Sequence, residues 1–139
     1  MAKPRRNMEP APELCALIQR YYAASAQGEA AFLPEFVSAS PDALLIGTDG
    51  EEWWEGGEQI ARTWGEAWSR RGSMPIESSQ PSAFRSGDMG WLTDRASWRL
   101  PDGRLVSFRL TAVFERGAGG WRMVHAHFSL GVPNSRFGE

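Results

Sequence analysis

Residues 104–132 read RLVSFRLTAVFERGAGGWRMVHAHFSLGV and contain the clearest structural pattern in the chain. Apolar and polar residues alternate through RLVSFRLTAVFE, which is typical of a strand with one buried face. The positions that share the apolar face are Val106, Phe108, Leu110, Ala112 and Phe114. The glycine-rich segment RGAGG then turns the chain into a second extended run, WRMVHAHFSLGV. The stretch therefore predicts two adjacent antiparallel strands.

The residues before this pair extend the same pattern. Residues 89–100, MGWLTDRASWRL, form another extended run, and Asp102-Gly103 behind it is a strong signal for a tight turn. Residues 74–86, MPIESSQPSAFRS, make a poor strand because Pro81 interrupts it. The second half of the chain therefore predicts a sheet of about four strands.

The first half of the chain is mainly helical. A first helix is predicted from Pro12 to just before Gly28, because apolar residues recur there at helical spacing. A shorter helical piece is predicted over residues 29–37. A second long helix is predicted over residues 58–71, where one apolar stripe comprises Ile60, Trp64 and Trp68.

Two short segments lie between these helices. Residues 43–47, ALLIG, read as a buried strand, and residues 48–57, TDGEEWWEGG, are rich in turn residues. Helices thus come first and most strands follow, which indicates the α+β class rather than a wound parallel sheet.

The composition limits the classes of function. The chain has 139 residues, enough for one domain, and its seven tryptophans indicate a wide apolar interior or a lined cavity. Lys plus Arg number 15 and Asp plus Glu number 17, so neither nucleic acid nor an anionic membrane is an expected partner. Cys15 is the only cysteine, which suits a cytoplasmic protein without a disulfide in the chain. We expect a disordered tail over residues 1–10 and one domain over residues 11–134.

Three stretches together resemble a known family. They are LLIGTDGEEWWEGGEQIARTW at residues 44–64, GWLTDRASWRLPDGR at 90–104 and RLTAVFERGAGGWRMVHAHFSLGVPN at 109–134. In this order they are similar to SnoaL-like proteins of the nuclear transport factor 2-like superfamily. The resemblance implies a cone-shaped roll, in which a curved antiparallel sheet wraps a long N-terminal helix and leaves a pocket at its open end. It also implies a homodimer that packs sheet against sheet.

The two histidines, His125 and His127, share one face of the last predicted strand, together with Trp121, Met123 and Ser129. Such a pair can supply two ligands of a metal ion, but catalytic zinc normally takes three protein ligands and the chain has no third histidine. We therefore expect no metal. The imidazoles either hydrogen-bond across the sheet, line an interface or face the pocket.

Arg95 lies on a predicted central strand. The resemblance to the association domains of calcium/calmodulin-dependent kinases implies that it lines the pocket and contacts an acidic group of a ligand. The alternative is a structural ion pair inside the cone. Asp94 is adjacent and points to the opposite face, so the two side chains cannot form the aspartate–arginine cluster of the epoxide hydrolases in this superfamily.

The steroid-isomerase branch of the superfamily uses a tyrosine on the first helix with two aspartates. Tyr21 and Tyr22 lie on this helix, and we expect one of them to face the cone interior. Asp42 and Asp49 flank the first strand but lie in turn-like sequence, where solvated aspartates are common. No second inward aspartate is evident on the later strands, so the catalytic set of that branch is not recognisable.

The tryptophans favour a core and a pocket rim. Trp64 and Trp68 have the spacing of core residues. Trp53 and Trp54 are adjacent and cannot both face inward, so one is expected at the rim of the pocket or at the dimer surface. The acidic, glycine-flanked segment around them is interpreted as a mobile lip over the cavity.

These observations favour a homodimeric protein that binds a small organic molecule in a largely apolar pocket, without a cofactor. The alternatives are an enzyme of the same fold that performs proton-transfer chemistry, as an isomerase, cyclase or lyase, or an oligomerisation module with a filled cone. The candidate pocket residues are Arg95, Tyr22, Tyr21, Trp53, Trp64, Phe108, His125 and His127.

Overall fold

A computed structural model describes residues 8–138 of the chain. Over these residues the α-helices are α1 (Pro12–Gln27), α2 (Leu33–Phe36) and α3 (Gly57–Arg71), with short 3-10 helices at Ala30–Phe32 and Asn134–Phe137. The strands are β1 (Glu9–Pro10), β2 (Leu44–Ile46), β3 (Trp53–Glu55), β4 (Ile76–Glu77), β5 (Ser82–Ser86), β6 (Met89–Arg99), β7 (Leu105–Gly117) and β8 (Gly120–Ser129). The helices and the predicted late strands therefore occur in the expected order.

Helix α1 has the termini that its sequence predicts. Pro12 stands at the first helical position, where its missing N–H costs no hydrogen bond, and Glu13 lies in the first turn. Gly28 ends the helix in the left-handed conformation, with φ of 69°, which a residue with a side chain rarely adopts. The buried side of α1 comprises Leu14, Ile18, Tyr21, Tyr22, Ala24 and Ser25.

Helix α3 packs through its predicted stripe of Ile60, Trp64 and Trp68, all of which are buried. Its first residue, Gly57, touches the segment after α2 so closely that a Cβ atom there would lie 1.7 Å from the carbonyl oxygen of Ser38. Only glycine fits this contact. The start of α3 is therefore fixed against residue 38.

The strands form one open sheet in the order β1-β5-β6-β7-β8-β2-β3, and β4 pairs with the same strand, β6, as β5 does. All pairings are antiparallel except that of β2 with β8, which is parallel. The sheet is therefore mixed, which the sequence did not predict. One face packs on the helices, and we call the opposite face the outer face.

Strand β8 contains a bulge that changes the predicted faces. Val113 pairs with His125 and Phe114 pairs with Met123, so Val124 has no partner on β7. Met123 is consequently fully buried on the helix side, and the prediction that it shares a face with the histidines is wrong. By contrast, the alternation predicted for β7 is confirmed, since Phe108, Leu110, Ala112 and Phe114 are all buried.

Two expectations at the N-terminal side need correction. Residues 1–7 of the expected disordered tail lie outside the described residues, but Glu9 and Pro10 pair with Arg85 and Phe84 as the edge strand β1. The segment 48–57, expected to be a turn-rich lip, includes strand β3, in which Trp54 pairs with Leu45. No helix within residues 8–138 is long and apolar enough to span a membrane.

Candidate functional site

A cavity of about 320 Å³ opens at one end of the cone, where α1, α3 and the ends of several strands meet. We call it the cone cavity. Its wall is formed by Tyr21, Ser25, Leu45, Gly47, Thr48, Glu52, Trp54, Trp64, Ala67, Arg71, Met74, Trp98, Leu100, Val106, Phe128 and Leu130. Larger depressions of about 470 Å³ and 450 Å³ lie on the helix side, and two of about 380 Å³ and 370 Å³ lie beside Arg95 and Arg109. Among the described residues, two buried side-chain nitrogens lack a hydrogen-bond partner, Nε1 of Trp68 and Nε of Arg71. Arg71 lines the cone cavity, whereas Trp68 lines none of these concavities.

Aromatic rings form most of the apolar wall of the cone cavity. The rings of Trp98 and Phe128 stack with centroids 6.0 Å apart, and Trp64 meets Phe128 edge to face at 6.1 Å. Trp64 reaches the cavity because it belongs to the buried stripe of α3, whereas Trp98 stands near the end of β6. These contacts hold the rings in fixed positions around the opening.

Among the described residues that form this wall, Arg71 is the only one with a cationic side chain. It is half-buried in the last turn of α3, where the helix dipole favours a cation. Its Nη2 donates a hydrogen bond to Oγ of Ser25 at 3.1 Å, but its buried Nε has no partner among the described residues. Desolvation by burial lowers the pKa of the guanidinium, which nevertheless stays charged.

Tyr21 stands beside Arg71 in the cavity wall and is buried in the core. Its ring stacks on Phe36 with centroids 4.9 Å apart, and no hydrogen bond joins its hydroxyl to another described residue. Burial raises the pKa of the phenol, against the opposing effect of the positive charge of Arg71. The hydroxyl therefore remains a hydrogen-bond donor at neutral pH.

Glu52 supplies the only carboxylate that residues 8–138 contribute to the wall. It follows the tight turn after β2 and is half-buried. Its Oε1 accepts a hydrogen bond from the backbone N–H of Asp49 at 2.9 Å, and a Cβ atom at Gly47 would lie only 2.6 Å from the same oxygen. The carboxylate is thus held in the turn between β2 and β3.

Arg95 does not line the cone cavity. Its side chain is exposed on the outer face, directly opposite Arg109 of β7, and it forms no ion pair with a described residue. The expectation that Arg95 lies inside the cone is wrong, because Leu92, Asp94 and Ala96 occupy the inner positions of β6 and Arg95 alternates with them.

Asp94 is the inward residue instead, and it is buried with three donors. The hydroxyls of Tyr22 and Ser79 each donate to its Oδ2 at 2.7 Å, and the backbone N–H of Gln80 donates to Oδ1 at 3.0 Å. The donors from residues 79 and 80 reach it because the edge of β6 is unpaired between β4 and β5. The expectation that no inward aspartate lies on the later strands is therefore wrong.

Tyr22 binds Asp94 and does not line the cone cavity. Burial raises the pKa of its phenol, and the hydrogen bond to Asp94 and the negative charge of that carboxylate raise it further. The cluster of Tyr22, Asp94 and Ser79 is satisfied internally. It therefore ties α1 to β6 rather than facing a ligand.

The histidines lie on the outer face. A ring nitrogen, Nδ1 of His125, is 2.9 Å from the carbonyl oxygen of Leu44 on the neighbouring strand, and His127 is exposed. His125 thus contacts the neighbouring strand, which is one of the predicted alternatives, and a role at an interface stays a prediction. Within residues 8–138, no cluster of three or more His, Cys, Asp or Glu side chains is arranged to hold a metal ion.

The other predicted pocket residues divide between the core and the surface. Phe108 is buried against Trp98, with ring centroids 4.2 Å apart, but does not reach the cavity. Trp53 is 58% exposed on the outer side of β3, and its neighbour Trp54 lines the cavity. Of the eight predicted residues, Tyr21 and Trp64 line the cone cavity.

Sequence reasoning missed Arg71, although a signal was present. Arg71 follows Trp68 by three positions and so continues the stripe of Ile60, Trp64 and Trp68 on the inner side of α3. A cation at the end of an aromatic stripe predicts a polar group at the rim of a cavity. Glu52 had no such signal, because its position depends on the pairing of β2 with β3.

Comparisons with known proteins agree with this architecture. A model of the SnoaL-like domain matches residues 14–133, and no curated protein matches the chain significantly. A candidate association domain of calcium/calmodulin-dependent protein kinase type II from Thiobacillus denitrificans has a TM-score of 0.73 at 20% identity, covering 94% of this chain and 100% of that one. An NTF2-like protein of unknown function from Pseudomonas putida KT2440 has a TM-score of 0.72 at 19% identity, with 85% and 84% covered.

A candidate dehydratase of the NTF2-like family from Streptomyces avermitilis has a TM-score of 0.70 at 16% identity, covering 86% of this chain and 94% of that one. These identities are low, so the structural likeness concerns the fold alone. The family match spans most of the chain, and the cone with its curved sheet is the fold that the match requires. The chain therefore belongs to the SnoaL-like domain family and has the nuclear transport factor 2-like fold.

Proposed function

We propose that the protein binds a small organic molecule in the cone cavity. The observation that carries this proposal is a cavity of about 320 Å³ with an aromatic wall and a few polar side chains, those of Tyr21, Ser25, Thr48, Glu52 and Arg71. Binding sites for small molecules are typically concave, mostly apolar and supplied with a few polar groups that orient the ligand. An oligomerisation module with a filled cone would not need such an opening.

The size of the cavity limits the ligand. Each water molecule in the liquid takes about 30 Å³, so the cavity corresponds to about ten waters. A ring system of one or two rings fits this space, whereas a larger polycyclic molecule would extend into solvent. We propose that binding takes place in the cytoplasm, which suits the single cysteine, Cys15.

A thermal-shift screen with small aromatic metabolites tests this proposal. Ala67 lies in the cavity wall, so Ala67→Phe fills space that the ligand needs, whereas Ala23 is exposed on α1 and Ala23→Phe serves as the matched control. We expect compounds that raise the melting temperature of the wild type and of Ala23→Phe but not of Ala67→Phe. Equal shifts in all three proteins would place binding elsewhere and contradict the proposal.

Proton-transfer catalysis is the second candidate function. It is favoured by the hydroxyl of Tyr21 and the carboxylate of Glu52, which line the same cavity as a potential donor and a potential base. Candidate enzymes occur among structures of the same fold, including a candidate ketosteroid isomerase from Parabacteroides distasonis, with a TM-score of 0.65 at 18% identity and 86% of each chain covered. Deuterium exchange into small carbonyl compounds in heavy water is the test, and exchange should be lost in Glu52→Gln if this function is correct.

We also propose a homodimer that packs outer face against outer face. On this face Trp53 lies opposite Ile46, and Ile46 lies opposite His127, which gives a partly apolar row across three strands. Arg95 and Arg109 lack acidic partners among the described residues, and the exposed Glu55 on β3 offers the opposite charge to a second copy.

Light scattering after size exclusion tests the dimer. Trp53→Arg should give a monomer, whereas Phe137→Arg, a change of an exposed residue away from the sheet, should leave the dimer intact. A wild-type protein of monomer mass at micromolar concentration would contradict this assembly.

A further inference from the structure

Arg71 has donors that the folded chain does not satisfy. Taking the binding of a small molecule in the cone cavity as given, we propose that the ligand is an aromatic or conjugated monocarboxylate whose carboxylate group binds Arg71.

The hydrogen bonds of Arg71 are incomplete. A guanidinium carries five N–H donors in a planar fork that suits two carboxylate oxygens. One terminal nitrogen donates to Ser25, and the buried Nε has no partner among the described residues. No carboxylate of a described residue lies within ion-pair distance of Arg71. A half-buried cation in this state has lost hydration without receiving an anion in return.

The position of Arg71 at the end of α3 does not by itself account for its burial. The helix dipole favours a cation in the last turn, but Arg70 already stands there and is exposed to solvent. Arg71 instead faces the cone cavity beside Tyr21. A ligand carboxylate at this point would accept from the terminal N–H groups of Arg71 that Ser25 leaves free and would give the half-buried cation the anion that no described residue supplies.

Tyr21 adds a second donor at the same wall. Its hydroxyl has no hydrogen-bond partner among the described residues, and burial raises the pKa of the phenol so that the proton stays on the oxygen at neutral pH. One carboxylate oxygen can accept from Arg71 and the other from Tyr21. This pair of donors favours a carboxylate over a single carbonyl oxygen.

The other side chains of the cavity wall limit the chemical class of the part of the ligand that carries the carboxylate. Trp54, Trp64 and Trp98 present aromatic surface, which favours a flat unsaturated group. Glu52 brings a negative charge to the same cavity and repels a second carboxylate. A monocarboxylate is therefore expected to bind in preference to a dicarboxylate.

The experiment compares acids with their neutral amides. trans-Cinnamate and 2-naphthoate are the probes, cinnamamide and 2-naphthamide are their matched neutral analogues, and calorimetry at pH 7 gives the dissociation constants. We expect each acid to bind the wild type at least about tenfold more tightly than its amide, because charge-assisted hydrogen bonds are stronger than neutral ones.

Variants of Arg71 test whether this residue causes the preference for acids over amides. Arg71→Met should abolish the preference for the acids, and Arg71→Lys should retain only part of it because an ammonium lacks the planar fork. Arg70→Met removes the neighbouring exposed arginine and should change nothing. In the wild type, the NMR signal of the Arg71 Nε–H should shift on addition of 2-naphthoate but not of 2-naphthamide, which gives a measurement that does not depend on a variant.

Each outcome has a distinct meaning. If amides bind as tightly as acids, the carboxylate proposal is overturned and the binding function stands. If acids are preferred equally by the wild type and Arg71→Met, the role of Arg71 is overturned. If neither acids nor amides bind and the Nε–H signal does not move, the proposed binding function fails together with the ligand class.

Discussion

The hydroxyl of Tyr22 on α1 donates a 2.7 Å hydrogen bond to Oδ2 of Asp94 on β6. The neighbouring residue, Tyr21, lines the cone cavity, and no such bond joins its hydroxyl to a described residue. Two adjacent tyrosines of one helix thus have different roles. Tyr22 joins the helix to the sheet, and Tyr21 forms part of the wall of the candidate site.

The difference between these tyrosines predicts different effects of the same substitution. Tyr22→Phe removes one of three donors from a buried carboxylate, and we expect the free energy of unfolding to fall by about 1.5–3 kcal/mol. Tyr21→Phe removes a hydroxyl without a described partner and should change the free energy by less than about 0.5 kcal/mol. Urea denaturation measures both, and equal losses would show that the bond to Asp94 contributes no specific stability.

The two tyrosines also predict sensitivity to alkali. Burial raises the pKa of both phenols above the ordinary value of 10.0, and the chain has no other tyrosine. Above pH 10 the unfolded chain loses phenolic protons that the folded chain keeps, so the free energy of unfolding falls as the pH rises. The slope should approach about 1.4 kcal/mol per pH unit for each tyrosine.

Chemical denaturation between pH 9 and pH 11.5 measures this slope. The double variant Tyr21→Phe/Tyr22→Phe has no titrating phenol and should show a clearly shallower dependence. The absorbance of tyrosinate at 295 nm should rise only when the wild type unfolds. A rise within the folded baseline would mean that the phenols are accessible to hydroxide.

The contact at the start of α3 predicts a severe effect of one added methyl group. In Gly57→Ala the new Cβ would overlap the carbonyl oxygen of Ser38, so the backbone must move, and we expect a loss of about 3 kcal/mol or more. Gly50→Ala is the matched control, since no atom lies within 4 Å of a Cβ atom there. Thermal melting compares the two variants, and similar melting temperatures would refute the close contact.

The arginine pair on the outer face predicts a stabilising reversal of charge. Arg95 and Arg109 lie directly opposite each other on β6 and β7, and like charges at such positions repel. In the Trp53→Arg background, which lacks the proposed dimer, Arg95→Glu replaces repulsion by attraction and should raise the urea midpoint at low salt, with Arg95→Gln intermediate. The gain should shrink in 1 M NaCl, because salt screens exposed charges. A gain that is independent of salt would point to a cause other than charge.

Sequence periodicity predicted β7 well because this strand alternates without interruption and packs one face on the helices. The same rule failed for Met123, since the bulge at Val124 depends on pairing with β7 and leaves no local mark. Strand β3 was missed because two tryptophans among acidic residues and glycines resemble a loop until Leu45 and Trp54 pair.

The candidate site was harder to predict than the fold. Arg95 was placed inside the cone by resemblance, although the inner positions Leu92 and Ala96 put Asp94 between them and Arg95 outside. The inward position of Arg71 could have been predicted from the apolar stripe of α3, which Arg71 continues. The position of Glu52 depends on the pairing of β2 with β3, and β2 itself joins the sheet through its parallel pairing with β8, which connects segments far apart in sequence.

That parallel pairing has a consequence for the order in which the chain folds. Leu44 pairs with His125, so β2 and the turn that carries Glu52 can join the sheet only after β8 is present. Contacts between such distant segments cost loop entropy and tend to form late. In a hydrogen-exchange experiment during refolding, we expect the amides of β6 and β7 to become protected first and those of β2 last. The opening of the cone cavity would then form at the end of folding.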